Sequence, residues 1–306
     1  LLDDTDLPIT QIALAAGFGS LRRFNDTFQK TYQRAPRELR RQHGNRATGA
    51  DEVALKLAFR PPYDWTHVSS FLATRAVPGV ERIDERGYAR TVALDNGHAI
   101  VCIRALDRED ALELRVHGAP PAALFQISAA ARRMFDLAAD PTRIAATFQP
   151  DRLLSRLVRA HPGLRIPGAW DPFECAVRAV LGQQVSVAAA RTLAARVVTR
   201  VGRRIDDDSS GLTHLFPSAA ALANANLDGL GITGARIAAL HALSRAVMES
   251  RLDFSAGVEE VTTALASLPG FGTWTAQYIA LRALGEPDAF PSGDLILRRM
   301  AAPDGA

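Results

Sequence analysis

From residue 151 onward, apolar residues recur every three or four positions in one segment after another: 172–181, 186–201, 218–225, 233–250, 258–268 and 273–284. Short turns containing glycine or proline separate these segments, so residues 151–306 predict an all-α domain of packed amphipathic helices. Upstream the period changes. Leu55, Leu57 and Phe59 alternate like a strand, Pro61-Pro62 ends it, and a helix is expected over 65–74. Strands at 88–94 and 98–105 flank Asp95-Asn96-Gly97, a strong hairpin turn, and 111–117 alternates again. Residues 51–150 therefore predict a small antiparallel sheet with helices, an α+β unit.

The amino-terminal 46 residues have a third pattern. Ile9, Ile12, Ala13 and Ala16 share one helical face, Gly17-Phe18-Gly19 breaks it, and Ser20 is placed to cap a second helix. That helix is expected to bury Leu21, Phe24 and Phe28 and to turn Arg22, Arg23, Asn25 and Gln29 outward, a form suited to a DNA major groove. A free-standing three-helix domain without DNA contact is the plainer alternative. Residues 45–50 read as a linker, which makes the chain multidomain: 1–46, 51–150 and 151–306.

Charge sharpens this division. The net charge is only +3, yet residues 20–46 hold eight basic side chains against two acidic ones. Lys30 and Lys56 are the only lysines; every other basic residue apart from histidine is arginine. Two cysteines, Cys102 and Cys175, are too few for a disulfide framework, a four-thiolate iron–sulfur cluster or a four-cysteine zinc site. Neither a secretory signal nor a membrane-length apolar run is present, and the cytoplasm is the expected location. The sequence opens without methionine and stops inside an apolar helical pattern, so it reads as a fragment at both ends.

The chemistry concentrates near residue 270. In Leu268-Pro-Gly-Phe-Gly-Thr-Trp-Thr-Ala276, one helix closes and the next opens through Gly270 and Gly272, with Thr273 first in the new helix. Glycines there let backbone N–H groups approach a phosphate, although a plain inter-helix turn has the same spacing. Trp274 and Tyr278 follow one turn apart, and Phe290-Pro-Ser-Gly-Asp294 places Asp294 twenty residues after Trp274. Asp294 could cap the helix that starts at Leu295, or could serve as a functional carboxylate. Trp274 and Tyr278 could equally be core aromatics.

This stretch resembles the helix-hairpin-helix DNA glycosylase superfamily. Gly182-Gln183-Gln184-Val185-Ser186 is a second match. Arg60-Pro-Pro-Tyr-Asp-Trp65 followed by Phe71-Leu-Ala-Thr-Arg-Ala-Val77 is a third, similar to the amino-terminal domain of 3-methyladenine DNA glycosylase II, the AlkA type. The resemblance implies excision of alkylated purines from double-stranded DNA by a monomer, with Asp294 stabilising positive charge at the sugar. Trp274, Tyr278 and Phe71 would form an aromatic pocket for the extruded, cationic base.

Gln184 stands where the family inserts a side chain, often leucine, into the gap left by the base; glutamine is a departure, and a mere loop contact is its alternative. Gln183 would line the pocket or touch phosphate. Lyase members carry a lysine in the hairpin, where this chain has Trp274, which implies a monofunctional enzyme. No cofactor is required, and no iron–sulfur cluster is expected. A sodium or potassium ion could sit on the main-chain carbonyls of Ala266, Leu268 and Phe271.

Residues 9–41 resemble the second helix-turn-helix of AraC-type activators, with Arg22, Arg23 and Asn25 as DNA-contacting candidates and promoter DNA as the partner. In adaptive-response proteins such a domain follows a zinc-dependent methyl-phosphotriester acceptor; none lies within this sequence. Two other readings compete: a transcription regulator whose glycosylase-like part only clamps DNA, and a glycosylase for oxidised or mismatched bases.

Overall fold

The computed structural model describes residues 8–15, 20–32, 35–36, 52–206 and 211–301. The expected turn at 17–19, the linker at 45–50 and the basic residues Arg34, Arg37, Arg40, Arg41 and Arg46 lie outside them. Among the described residues no helix is long and apolar enough to cross a membrane.

Helix α1 (Ile9–Ala15) and helix α2 (Leu21–Tyr32) pack through Ile12, Ala13 and Phe24, with Ile9 and Phe28 at the edge of this small core. The Ser20 hydroxyl accepts the Arg23 N–H at 3.2 Å, the expected cap. Leu21 departs from expectation. Standing at the first helical position, it stays exposed and outside the small core, and Asn25 is half-buried.

The sheet has five antiparallel strands in the order β1-β5-β4-β3-β2. They are β1 (Glu52–Ala58), β2 (Glu81–Asp84), β3 (Gly87–Leu94), β4 (Gly97–Ala105) and β5 (Ala111–His117). The hairpin falls where Asp95-Asn96-Gly97 predicts it, with Leu94 opposite Gly97 and a φ of 114° at that glycine. Leu55, Leu57, Val101, Ile103, Leu112 and Leu114 are buried, as are Leu124, Ile127 and Met134 of the helix α4 (Leu124–Met134). Helix α3 (Trp65–Ala73) opens on Trp65, whose ring stacks on Phe135 at 5.8 Å.

The remaining helices are α5 (Pro141–Phe148), α6 (Arg152–Ala160), α7 (Pro172–Gly182), α8 (Val187–Val201), α9 (Ala219–Leu222), α10 (Gly234–Met248), α11 (Val258–Ala266), α12 (Thr273–Ile279) and α13 (Leu295–Ala301). The helix expected over 273–284 divides: after Ile279 the chain widens into a π-helix, Ala280–Leu284, closed by Gly285 at a φ of 72°. Ala169 N–H donates to the Arg282 carbonyl at 2.6 Å, a bond with which a regular α-turn would compete.

The chain forms two compact units. One holds the residues up to Ser70 together with Glu81–Arg165; the other holds Phe71–Val80 and Ile166–Ala306. The helical unit thus begins at Ile166 rather than at residue 151, and it takes in a segment expected to belong to the sheet domain. Both shifts have a physical basis. The buried Arg165 guanidinium donates to the carbonyls of Arg60, Pro62 and Ala139, and Asp64 N–H donates to the Gly163 carbonyl, which ties the residues after α6 to the sheet unit. In the other unit, Val77 and Val80 lie in the helical core, Arg191 donates to the Ala76 carbonyl at 2.7 Å, and Thr213 N–H donates to that of Gly79.

Candidate active site

The hairpin between α11 and α12 is built by two glycines with different tasks. Gly270 has a φ of 83°, and a Cβ there would lie 2.9 Å from the Ala239 Cβ, so the backbone passes against α10 only because no side chain intervenes. Gly272 has an ordinary extended φ of −89°, is exposed, and would meet nothing within 4 Å if given a Cβ. Thr273 begins α12 and is exposed.

Helix α12 presents two faces. Thr275, Ala276 and Ile279 enter the helical core, while Trp274 and Tyr278 are half-buried and stack on one another, ring centroids 5.3 Å apart and planes 15° from parallel. The Trp274 Nε1 atom is buried without a hydrogen-bond partner. Burial pushes the Tyr278 phenol up, so it remains neutral.

A Cβ on Gly293 would lie 3.7 Å from the Trp274 Cδ1, which places the turn bearing Asp294 beside the indole. That turn is closed by Asp294 N–H donating to the Pro291 carbonyl at 2.9 Å, and Phe290 N–H donates to the Gln277 side-chain oxygen. Asp294 is half-buried. Its Oδ1 accepts the N–H groups of Ile296 and Leu297 at 2.9 and 3.0 Å and caps α13. One oxygen thus holds the helix, the capping reading of Asp294, and the other has no protein partner among the described residues.

Gln183 and Gln184 follow α7. The Gln183 amide donates to the Gly270 carbonyl at 2.7 Å, and the Arg236 guanidinium donates to the Gln183 carbonyl. Gln183 therefore braces the hairpin. Gln184 is exposed with a φ of 54°, a left-handed conformation uncommon for a residue with a side chain.

Phe71 is engaged in a way the sequence reading did not anticipate. The Arg75 Cζ lies 3.7 Å from its ring centroid and the Arg282 Cζ 4.4 Å, and Arg282 is also 6.0 Å from the Tyr278 ring. Rather than offering a bare ring to a cationic base, Phe71 already carries two guanidiniums. Sequence reasoning missed both arginines, although each lies four residues after an aromatic, 71 to 75 and 278 to 282, the spacing that brings side chains together on a helix. Burial lowers the pKa of Arg75 and of Arg282 below the usual guanidinium value, against the opposing influence of the Tyr278 phenol.

Of the remaining expected residues, Arg22 and Arg23 are exposed on α2, in the sheet-containing unit rather than the helical one. Among the described residues no cluster of three or more His, Cys, Asp or Glu side chains could hold a metal. Cys175 is buried and its thiol is pushed up to about 12 by that burial; Cys102 is half-buried in β4.

Comparison with known proteins identifies the domains that carry these residues. Residues 1–42 match a helix-turn-helix domain, residues 54–171 the AlkA N-terminal domain, and residues 177–305 the HhH-GPD superfamily of base excision DNA repair proteins. The chain is 39% identical over 317 residues to a probable bifunctional transcriptional activator/DNA repair enzyme AlkA of Mycobacterium tuberculosis, covering 98% of this chain and 62% of that protein. It is 36% identical over 248 residues to DNA-3-methyladenine glycosylase 2 of Escherichia coli, covering 79% of this chain and 85% of the relative. A 3-methyladenine DNA-glycosylase from Archaeoglobus fulgidus shares the fold, with a TM-score of 0.70 at 22% identity over 81% of this chain and 85% of that one.

Proposed function

Because the chain belongs to the AlkA-type family of DNA-3-methyladenine glycosylase 2, we propose that it hydrolyses the N-glycosidic bond of alkylated purines in DNA and leaves an uncut strand with an abasic site. The observation that carries this reading is the corner where Asp294, with one carboxylate oxygen available, stands next to the Trp274–Tyr278 stack. As the bond from C1′ to the base nitrogen breaks, its electron pair leaves with the base and positive charge spreads over C1′ and the ring oxygen. A carboxylate beside that charge stabilises it, and water then adds to C1′ and gives up a proton. An alkylated purine cation departs as a neutral base, so no dedicated acid is needed.

The absence of a lyase step rests on the lysines. β-Elimination through a Schiff base needs an amine at C1′, and Trp274 stands at the hairpin position. Lys56, which pairs with Glu109, and Lys30 both belong to the other unit. Two further readings accompany the enzyme. The exposed Arg22 and Arg23 on α2 support recognition of promoter DNA and regulation of the alkylation response. The carbonyls of Ala266 and Phe271 accept no hydrogen bond among the described residues, and that of Leu268 accepts one from Phe271 N–H at 3.2 Å. These oxygens suit a sodium or potassium ion, which would add positive charge beside a DNA phosphate.

The test is release of free 3-methyladenine from methylated duplex DNA, with the strand cut only after alkali. No base release would refute the enzyme reading. A borohydride-trapped covalent adduct forming as fast as the base is released would refute the monofunctional one.

A further inference from the structure

Among the described residues of the helical unit, the Trp274 Nε1 is the one buried side-chain polar atom without a hydrogen-bond partner. An indole N–H can only donate, and a buried donor left without an acceptor destabilises the fold. Tyr278 occupies the ring face, its centroid 5.3 Å away, which leaves the edge bearing Cδ1 and Nε1 to meet a polar group. This edge lies against the turn that leads to Asp294: a Cβ on Gly293 would be 3.7 Å from Cδ1, the atom bonded to Nε1. Helix α12 also holds that turn, because Gln277, on the same helix as Trp274, accepts the Phe290 N–H at 3.3 Å. The Asp294 Oδ1 is engaged by the N–H groups of Ile296 and Leu297, whereas its Oδ2 has no protein partner among the described residues. A donor that lacks an acceptor and an acceptor that lacks a donor thus flank one turn.

We propose that the Trp274 Nε1–H and the Asp294 Oδ2 together hold the water that adds to C1′, so that Trp274 acts through its edge as well as its face. The proposal rests on the glycosylase reading above and names the group that places its nucleophile. A bound water needs at least two polar partners, and these two atoms supply a donor and an acceptor. The indole N–H engages one lone pair of the water oxygen and Oδ2 accepts one of its protons, which leaves the second lone pair to face C1′. When the C1′–N bond breaks, its electron pair leaves with the base. The water oxygen then forms the new bond to C1′, and its proton passes to the Asp294 carboxylate and on to solvent. Trp274 forms no covalent bond and changes no charge; it fixes where the water stands, which removes an orientational cost from the addition. Being uncharged, the indole does not oppose the positive charge that grows on the sugar.

The full chain with benzothienylalanine in place of Trp274 tests this, since that side chain keeps the bicyclic ring and its stack but has sulfur where the N–H was. Single-turnover release of 3-methyladenine from methylated duplex DNA is followed in buffer containing methanol, and the sugar product is divided into abasic site and methyl glycoside. The variant is expected to release base about tenfold more slowly and to raise the methyl glycoside share at least about threefold, because a solvent nucleophile then reaches C1′ without being placed. Binding to a duplex with a preformed abasic site should change by less than about twofold. A methyl glycoside share equal to wild type overturns the proposal whatever happens to the rate: with binding kept, the indole is a stacking ring alone, and with binding lost, its N–H serves an oxygen of the DNA. If the benzothienyl variant does not fold, Trp274→Phe is read by the same product ratio. Wild-type protein that releases no base refutes the glycosylase reading itself, an outcome distinct from an unchanged product ratio.

Discussion

Replacing Asp294 with asparagine separates its two tasks. The Oδ1 atom that accepts Ile296 and Leu297 N–H groups has an equivalent in asparagine, and the two residues cap helices about equally well, so α13 and overall stability should be kept within a few tenths of a kcal/mol. What disappears is the negative charge. A carboxylate about 4 Å from a developing unit charge, in a partly buried site of effective dielectric about 20, contributes about 4 kcal/mol. That corresponds to a loss of about a thousandfold in the single-turnover rate of base release. Binding to a duplex with a preformed abasic site should change little, and the urea midpoint should match wild type. Asp294→Ala would confuse the two effects by removing the cap as well, at a cost of about 1 kcal/mol. Wild-type excision rates in a folded Asp294→Asn protein would refute the assignment of the carboxylate.

Three further outcomes are expected. Gly272→Val, which meets no neighbour, should leave the melting temperature unchanged and weaken binding to every duplex alike, whereas Gly270→Ala should cost about 2 kcal/mol through its positive φ and the approach to Ala239; sequence-selective loss in the first or an unchanged melting temperature in the second would contradict these roles. Arg22→Ala with Arg23→Ala should impair promoter binding in a mobility-shift assay while excision stays near wild type, and loss of excision in folded protein would refute the separation of the two activities. Arg165→Met should destabilise the protein by about 3 kcal/mol in urea unfolding by orphaning the carbonyls of Arg60, Pro62 and Ala139, and a shift under about 0.5 kcal/mol would show that those groups find other partners.

Periodicity and turn chemistry made most of the architecture legible. The hairpin at Asp95-Asn96-Gly97, the cap at Ser20 and the succession of helices after residue 166 all follow from local pattern. What escaped was set by contacts distant in sequence. Strand β2 is four residues, Glu81-Arg82-Ile83-Asp84, too short and too polar to show an alternation, and it exists by pairing with β3 at the sheet edge. The helix 218–225 shrinks to Ala219–Leu222, where asparagines follow and the Asn226 side chain accepts the Asp228 N–H in a local turn. The transfer of Phe71–Val80 to the helical unit depends on Arg178 and Arg191, more than a hundred residues away. At the candidate site, motif spacing pointed to Asp294, Trp274 and Tyr278, which the fold brings close together, but the π-widening that carries Arg282 leaves no trace in the apolar pattern.

The bracing of Gly270 by Gln183 has a mechanical consequence. Gln184 is joined directly to the residue that grips the hairpin, so the loop after α7 and the hairpin between α11 and α12 are tied at one point. Arg236, holding the other end of Gln183, fixes this strut to α10. In the proposed enzyme, a duplex that displaced one of these two loops would have to carry the other with it or break the Gln183–Gly270 bond.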